Sequence, residues 1–193
     1  MAAHDVLHVL RSGTAAEHQD VERTLNLLDP ALGRRRLTDV LTRMHGFWLA
    51  AEAGLDAWAA RHPSDAHEVQ WPARRRAHLF ADDLRALGAD HPATAPALPR
   101  LTGTDQALGR LYVREGSTLG GTFIDRHLAG LPELSGVCAF SHDGARTGAM
   151  WHGFRRVVRG RVREGGDPAA ILGSARGTFR ALADWCRPLA GTA

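Results

Sequence analysis

Apolar and polar residues alternate along the 193-residue chain with the repeat of amphipathic helices. Apolar residues recur three and four positions apart, which places them on one face of an α-helix. The pattern predicts six helices, over about residues 4–28, 31–61, 72–87, 104–130, 145–163 and from residue 168 onward. No segment shows the period-two alternation of a strand. We therefore expect an all-α helical bundle, with residues 1–193 forming a single domain.

Prolines and glycines mark the breaks between these helices. Asp29-Pro30 ends the first helix, because the residue before proline avoids the helical region. Gly88 is suited to cap the third helix, and Asp167-Pro168 to begin the last one. Pro63 and Pro72 bracket a polar loop, and residues 88–103 form a predicted connecting segment.

The second helix carries the apolar set expected of a core element. Aromatic and aliphatic residues follow one another at helical spacing, which favours packing in the interior over a ligand-binding role. The set comprises Leu37, Val40, Leu41, Met44, Phe47, Trp48, Ala51, Leu55 and Trp58.

A glycine-rich stretch, Leu111–Gly121, interrupts the fourth predicted helix. Gly116 and Gly120 are four residues apart and share a helix face, with Gly121 just round from them. Each glycine inside a helix costs roughly 1 kcal/mol relative to alanine, so something must approach this backbone closely. The stretch alone leaves two readings open: a second helix crossing at small residues, or a flat ligand.

The first predicted helix carries polar residues that could form the surface opposite the glycine stretch. Thr14, His18 and Glu22 are spaced four apart between leucines. A histidine on an apolar face is commonly a satisfied core residue, but Glu22 can hold its Nδ1 and leave Nε2 for a metal. A single axial histidine opposite a face without side chains would suit a planar macrocycle such as haem.

The composition argues against nucleic-acid binding, a membrane span and a disulfide framework. All 24 basic residues are arginines, the formal charge is +3, and no broad basic stripe with aromatics indicates nucleic-acid binding. The short runs Arg34–Arg36 and Arg74–Arg76 read as solvated helix faces. No apolar run is long enough to span a membrane, the N-terminus lacks a signal-peptide pattern, and two separated cysteines form no framework. We therefore expect a cytoplasmic protein.

Two motifs resemble those of the haem oxygenases. Leu10-Arg11-x-x-Thr14-x-x-x-His18-x-x-x-Glu22 is similar to their proximal helix. The segment from Gly109 through Leu111-Tyr112-Val113-x-Glu115-Gly116-Ser117-x-Leu119-Gly120-Gly121 resembles their distal helix, in the form found in the bacterial branch that accompanies bacteriophytochromes. The later Trp151-x-x-Phe154 and Phe179-x-x-Leu182 also fit the family pattern.

The resemblance implies a role for each matching residue. His18 would be the proximal iron ligand and Glu22 its hydrogen-bond partner. Gly116, Ser117 and Gly120 would form the catalytic distal wall, with Gly121 continuing it. The haem-contacting residues further implied are Arg11, Thr14, Tyr112, His152 and Arg156. Tyr112 could bond a propionate or fill the core, whereas Arg11, His152 and Arg156 could hold propionates or be solvated.

One position departs from the family's best-known members. In the animal enzymes an aspartate follows the first distal glycine and orders the water that delivers protons. This chain has Ser117 there, which can hold a water but carries no charge.

The expected activity is oxidative cleavage of haem to biliverdin, carbon monoxide and ferrous iron, using dioxygen. Haem would be both cofactor and substrate. The chain has no flavin or nicotinamide motif, so electrons would come from a separate ferredoxin or reductase, and a bacteriophytochrome would be the biliverdin acceptor. The rival readings are a haem-binding or trafficking protein without turnover and a non-haem di-iron oxygenase, which would need several inward carboxylates and histidines.

Overall fold

The structure, a computed structural model, describes residues 5–89, 94–134, 136–140 and 144–191. All regular secondary structure in these ranges is helical, which confirms the expected all-α fold. The α-helices of the described ranges are α1 (Val6–Gly13), α2 (Ala15–Leu25), α3 (Arg34–Arg61), α4 (Pro63–Glu68), α5 (Ala77–Ala86), α6 (Thr104–Ala129), α7 (Thr147–Arg163) and α8 (Pro168–Cys186). Within the described part of the chain, no helix is long and apolar enough to cross a membrane. The single-domain organisation stays a prediction.

The first predicted helix is in fact two helices that meet at Thr14. Thr14 has φ −111° and ψ 2°, so the chain leaves helical geometry for one residue. Its hydroxyl donates to the carbonyl of Leu10 at 2.8 Å, and such a bond back to the preceding turn bends a helix. His18 therefore lies at the end of the first turn of α2, with Glu22 one turn later.

The segment between α3 and α5 also differs from the prediction. The expected polar loop contains α4, which Pro63 can begin because proline tolerates the first helical position. The helix expected over 72–87 is a 3-10 turn, Trp71–Arg74, followed by α5. Gly88 caps α5 as expected, with φ at +65°, a conformation that glycine adopts without strain. Residues 90–93 of the connecting segment lie outside the described residues.

The core is built on α3. All nine apolar side chains assigned to its inner face are buried, which confirms the helical pattern. The apolar face of α8 is buried as well, at Ile171, Ala175, Phe179 and Leu182. The two helices thus supply the interior against which α2 and α6 are placed.

Helices α6 and α8 cross at Gly109. A Cβ atom on Gly109 would lie 2.7 Å from Cβ of Ser174 and 2.9 Å from the backbone nitrogen of Ala175. By contrast, a Cβ on Gly116 or Gly120 would meet no atom of the described residues within 4 Å. The close helix crossing is therefore at Gly109, and Gly116 and Gly120, two and three turns later, face open space.

A buried carboxylate holds the start of α5. Oε1 of Glu52, on α3, accepts the backbone N–H of Arg76 at 2.6 Å and that of Ala77 at 2.8 Å. Both N–H groups belong to the first turn of the helix, where no carbonyl of the preceding turn is available. Burial raises the pKa of the Glu52 carboxyl, although the two hydrogen bonds oppose the rise.

We expect Glu52→Gln to gain stability over the natural chain as the pH rises. A carboxyl with a raised pKa binds its proton more tightly in the folded chain, so its stabilisation is present below the unfolded pKa and is lost as the pH rises through the folded one. Glutamine stays neutral and keeps an oxygen for the two N–H groups. Urea unfolding should show the difference in unfolding free energy growing by on the order of 1 kcal/mol from about pH 4 to about pH 7. A difference that does not change with pH would contradict the assignment.

Alanine at Gly109 should destabilise the fold, whereas alanine at Gly116 should not. The added methyl at Gly109 has no room against α8, so we expect the free energy of unfolding to fall by about 1–3 kcal/mol. At Gly116 the methyl meets open space, and helix propensity should raise stability by up to about 1 kcal/mol. Thermal unfolding of the two haem-free variants makes the comparison. Equal losses would show that a neighbouring element also covers Gly116.

Candidate functional site

The proximal face lies on α2 and is open to solvent. The side chain of His18 is 45% exposed, and its Nδ1 is 3.5 Å from Oε2 of Glu22. The imidazole ring also meets Phe179 of α8 edge-on, with ring centroids 5.5 Å apart. His18 is therefore supported on two sides but not enclosed, which differs from a satisfied core histidine.

Helices α2 and α8 run alongside each other in the same direction. Gly13 contacts Leu172, and Nε of Arg176 donates to Oε1 of Glu17 at 2.7 Å. The His18–Phe179 contact follows one step further along both helices. The buried Glu17 pairs with Arg180 as well, at 2.8 Å, and the hydrogen bond from Arg176 lowers the pKa of its carboxyl.

The distal face on α6 meets the proximal face at one end. The side chain of Tyr112 lies beside that of Thr14, and burial raises the pKa of the Tyr112 hydroxyl. His18 is one turn beyond Thr14 on α2, and Gly116 is one turn beyond Tyr112 on α6. The two predicted faces therefore share the contact between Tyr112 and Thr14. One turn beyond this contact, α6 carries the open glycine positions and α2 carries the half-exposed imidazole of His18.

This arrangement separates the two readings of the glycine stretch. In the described residues no helix crosses at Gly116 or Gly120, since nothing lies within 4 Å of a Cβ at either position. Gly116 is half-buried and Gly120 exposed, whereas Gly121 is buried. The first two glycines thus leave room beside the α6 backbone that a flat group can occupy.

Ser117 is held by a residue that the sequence analysis missed. Its hydroxyl donates to the carbonyl of Arg114 at 2.7 Å and accepts from Nη1 of Arg76 at 2.5 Å. Arg76 is only 2% exposed. Its guanidinium lies 5.1 Å from the ring centroids of both Trp48 and Phe80.

The interpretation of Arg74–Arg76 as a solvated run is wrong for two of its three members. Arg74 is 1% exposed and pairs with Glu115 on α6 at 2.6 Å. Glu115 also accepts from Arg114 at 2.8 Å, so the buried carboxylate has two cationic partners. No local pattern in the sequence marks this burial, because the carboxylate partner of Arg74 lies far along the chain on α6.

The same region fixes the loop after α6. Asp83, on α5, accepts the backbone N–H of Ala139 at 2.8 Å and that of Cys138 at 3.1 Å. Nη2 of Arg76 donates to the carbonyl of Ala139 at 2.9 Å. Burial raises the pKa of Asp83. The side chains of Arg76, just before α5, and Asp83, on α5, therefore hold the backbone of Ala139 on both of its polar groups, and Arg76 links it to Ser117.

The other predicted contact residues lie near the first helix or further away. Arg11 is exposed and close enough to Tyr112 to act on its pKa. His152 and Arg156, on α7, line a groove of about 490 Å³ with residues of α1 and α7, and none of its lining residues belongs to α2 or α6. The structure therefore places Tyr112 beside Thr14, one turn from Gly116 on α6 and one turn from His18 on α2. His152 and Arg156 line a groove that includes residues of neither helix.

The described residues offer no ligand set for a non-haem metal centre. No three His, Cys, Asp or Glu side chains in that part of the chain come together as a metal site. The donor set that the structure presents is instead one imidazole with a carboxylate behind it, which fits one axial ligand to haem iron.

Comparison with known proteins agrees with this geometry. No protein-family model matches the chain. The chain is 30% identical over 141 residues to a haem oxygenase of Xanthomonas campestris pv. campestris (strain 8004), which covers 72% of this chain and 82% of that relative.

A solved structure supports the fold. The NO- and CO-bound haem oxygenase of Neisseria meningitidis superposes with a TM-score of 0.81 over 99% of this chain and 94% of that one, at 22% identity. That likeness bears on the helical architecture, and the sequence relationship to the Xanthomonas protein carries the family assignment. On these grounds the chain belongs to the haem oxygenase family.

Proposed function

We propose that this chain binds haem between α2 and α6 and cleaves it oxidatively to biliverdin, carbon monoxide and ferrous iron. The observation that carries the proposal is the open backbone at Gly116 and Gly120, joined through Tyr112 and Thr14 to the face that bears a half-exposed His18. Bound haem supplies the iron at which dioxygen is reduced, and its porphyrin ring is the substrate that opens.

His18 is the axial ligand in this proposal. Glu22 lies on the Nδ1 side of the imidazole, 3.5 Å away, and favours the tautomer with the proton on Nδ1. Nε2 is then left with a lone pair for the iron. Phe179 restricts rotation of the ring from the α8 side.

Two features of the distal wall matter in this proposal: the missing side chains at Gly116 and Gly120, and the hydroxyl of Ser117. Gly116 and Gly120 let a planar macrocycle approach the α6 backbone, with Gly121 continuing the same close approach. Ser117 is the polar side chain beside these glycines, and its hydroxyl is the group that would hold a water or a polar ligand there. A haem-binding protein without turnover is the alternative outcome if Ser117 cannot support proton delivery.

Cations at the edge of the slot would hold the propionates. Arg11 is supported by its position beside Tyr112, near the contact that closes one end of the slot. Tyr112 lies beside Thr14 and is half-buried, which favours a structural role for its hydroxyl. His152 and Arg156 stay predictions of the family resemblance, since they line a separate groove with Asp5 and Arg159.

The electron donor and the use of the product are proposed from the sequence. A separate ferredoxin or reductase supplies electrons, and the arginine-rich surface would suit an acidic donor. The residues of the distal motif support biliverdin supply to a bacteriophytochrome, and a phytochrome gene beside this one would strengthen that proposal. The cytoplasmic location also stays a prediction.

His18→Ala should abolish the axial ligand without unfolding the chain, because the side chain is half-exposed. Titration with haemin should show a weakened and shifted Soret band, with affinity at least about tenfold lower, and biliverdin formation with a ferredoxin system should be lost. Added imidazole should restore part of the spectrum. His67→Ala is the matched control, an exposed histidine on α4. Haem spectra unchanged from the natural chain would rule out His18 as the ligand.

Gly120→Leu should fill the open side of α6 and exclude haem or its oxygen ligand. We expect haemin affinity or turnover to fall by at least about tenfold while circular dichroism of the haem-free protein stays the same. Gly173→Leu is the control, since Gly173 is also an exposed helical glycine with open space at its Cβ. Normal turnover of Gly120→Leu would show that haem does not lie against this face.

A further inference from the structure

The buried guanidinium of Arg76 has no counterpart in the sequence motifs of the site. It reaches the distal side chain Ser117 from α5, a helix that neither the proximal nor the distal motif includes. A cation that is 2% exposed is costly to bury unless its hydrogen bonds are satisfied. The position of this charge beside the slot therefore calls for an explanation beyond packing.

The hydrogen-bond chemistry of the pair has only one arrangement. Arginine has donors and no acceptor, so the Ser117 oxygen must accept from Arg76. The single hydroxyl proton of Ser117 then points away from Arg76, and in the structure it goes to the carbonyl of Arg114 at 2.7 Å. Rotation about the Cβ–Oγ bond can instead turn this proton to a group in the slot, because a hydroxyl proton is free to reorient.

The guanidinium also changes what the hydroxyl can do. A charge-assisted bond at 2.5 Å draws electron density from the serine oxygen and makes its proton a stronger donor. The positive charge of Arg76 lies behind that donor and favours negative charge in front of it. Both effects act in the same direction.

Arg76 is held in place independently of any ligand. Glu52 accepts the backbone N–H of Arg76, and its second guanidinium nitrogen donates to Ala139, whose N–H is bound by Asp83. Trp48 and Phe80 lie against the guanidinium at 5.1 Å. The cation therefore needs no rearrangement to act on Ser117, which is the requirement for electrostatic preorganisation.

We propose that Arg76 is a positioning residue of the distal pocket, which acts through Ser117 to make the neutral hydroxyl a donor to anionic ligands. This inference rests on the proposed function and deepens it. It explains how a serine can serve at a position where related enzymes carry an acid, because the fixed charge is supplied by Arg76, which is hydrogen-bonded to the serine hydroxyl. The other charged groups near Arg76 and Ser117 include Arg74 before α5, Arg114 and Glu115 on α6 itself, Glu52 on α3 and Asp83 on α5.

The acid–alkaline transition of the ferric haem complex tests the proposal, because its midpoint reports how well the distal side stabilises negative charge. We expect Arg76→Met to raise the midpoint by about one pH unit, since it removes the cation. Ser117→Ala should raise it by about half as much, since it removes the donor. Arg76→Lys keeps the charge and should restore most of the natural value. The visible spectrum gives each midpoint without turnover.

A double-mutant cycle separates positioning from a diffuse effect of charge. If Arg76 acts through Ser117, Arg76→Met should shift the midpoint less in the Ser117→Ala background than in the natural chain. Equal shifts in the two backgrounds, or an unchanged midpoint in Ser117→Ala, would overturn the proposal. Should Arg76→Met fail to fold, Ser117→Ala and Arg76→Lys still decide it, because a midpoint in Arg76→Lys as high as in Ser117→Ala would contradict a role for the charge.

The failure of this inference is distinguishable from failure of the proposed function. If the natural chain gives no Soret band with haemin, the haem site itself is wrong. If the natural chain binds haem through His18 but Arg76→Met leaves the midpoint unchanged, only the role of Arg76 is wrong.

Discussion

The crossing of α6 and α8 at Gly109 is the constraint on which the site depends. The backbone of α8 comes so close there that a side chain on Gly109 would strike Ser174 and Ala175. This contact sets the position of α6 relative to α8, and α8 in turn carries Phe179 against His18. One turn after the crossing, Tyr112 reaches Thr14, and one turn later the backbone at Gly116 is open. The glycines of one helix thus serve opposite purposes, close packing first and an open face afterwards.

Buried charged groups contact α6 at Glu115 and Ser117, the two residues next to Gly116. Arg74 and Arg114 pair with Glu115, and Arg76 bonds Ser117, so the helix is tied to the segment around α5 by ionic groups. Buried ion pairs contribute little net stability once desolvation is counted. Removing one partner nevertheless destabilises the fold strongly, because the other charge is left buried without compensation. Their effect here is to fix geometry. A helix with an uncovered glycine face gains rigidity from the ion pairs and hydrogen bonds of the residues that flank this face, which keeps the open face in place.

The sequence predicted most of the helices because they depend on local periodicity, and the two proposed faces of the site rest on the same spacing. The inner residues of α3, the start of α8 at Asp167-Pro168 and the cap at Gly88 follow from spacing and backbone preferences. The break at Thr14 and the helix α4 were missed, since each depends on a hydrogen bond or a packing contact as much as on propensity. Arg76 was missed for another reason: its partners come from α3, α6 and the loop after α6, and no local pattern encodes their meeting.

Ser117 shows why a residue-by-residue transfer from a family motif is incomplete. Taken alone, a serine where an acid is expected suggests weaker proton delivery. In this chain the serine oxygen receives a hydrogen bond from a buried cation, and such a charge-assisted bond strengthens the hydroxyl as a donor. A carboxylate at the same position would instead form an ion pair with Arg76, and the pair would have little charge left to offer the slot. Serine is therefore the side chain that lets the field of Arg76 reach the distal pocket.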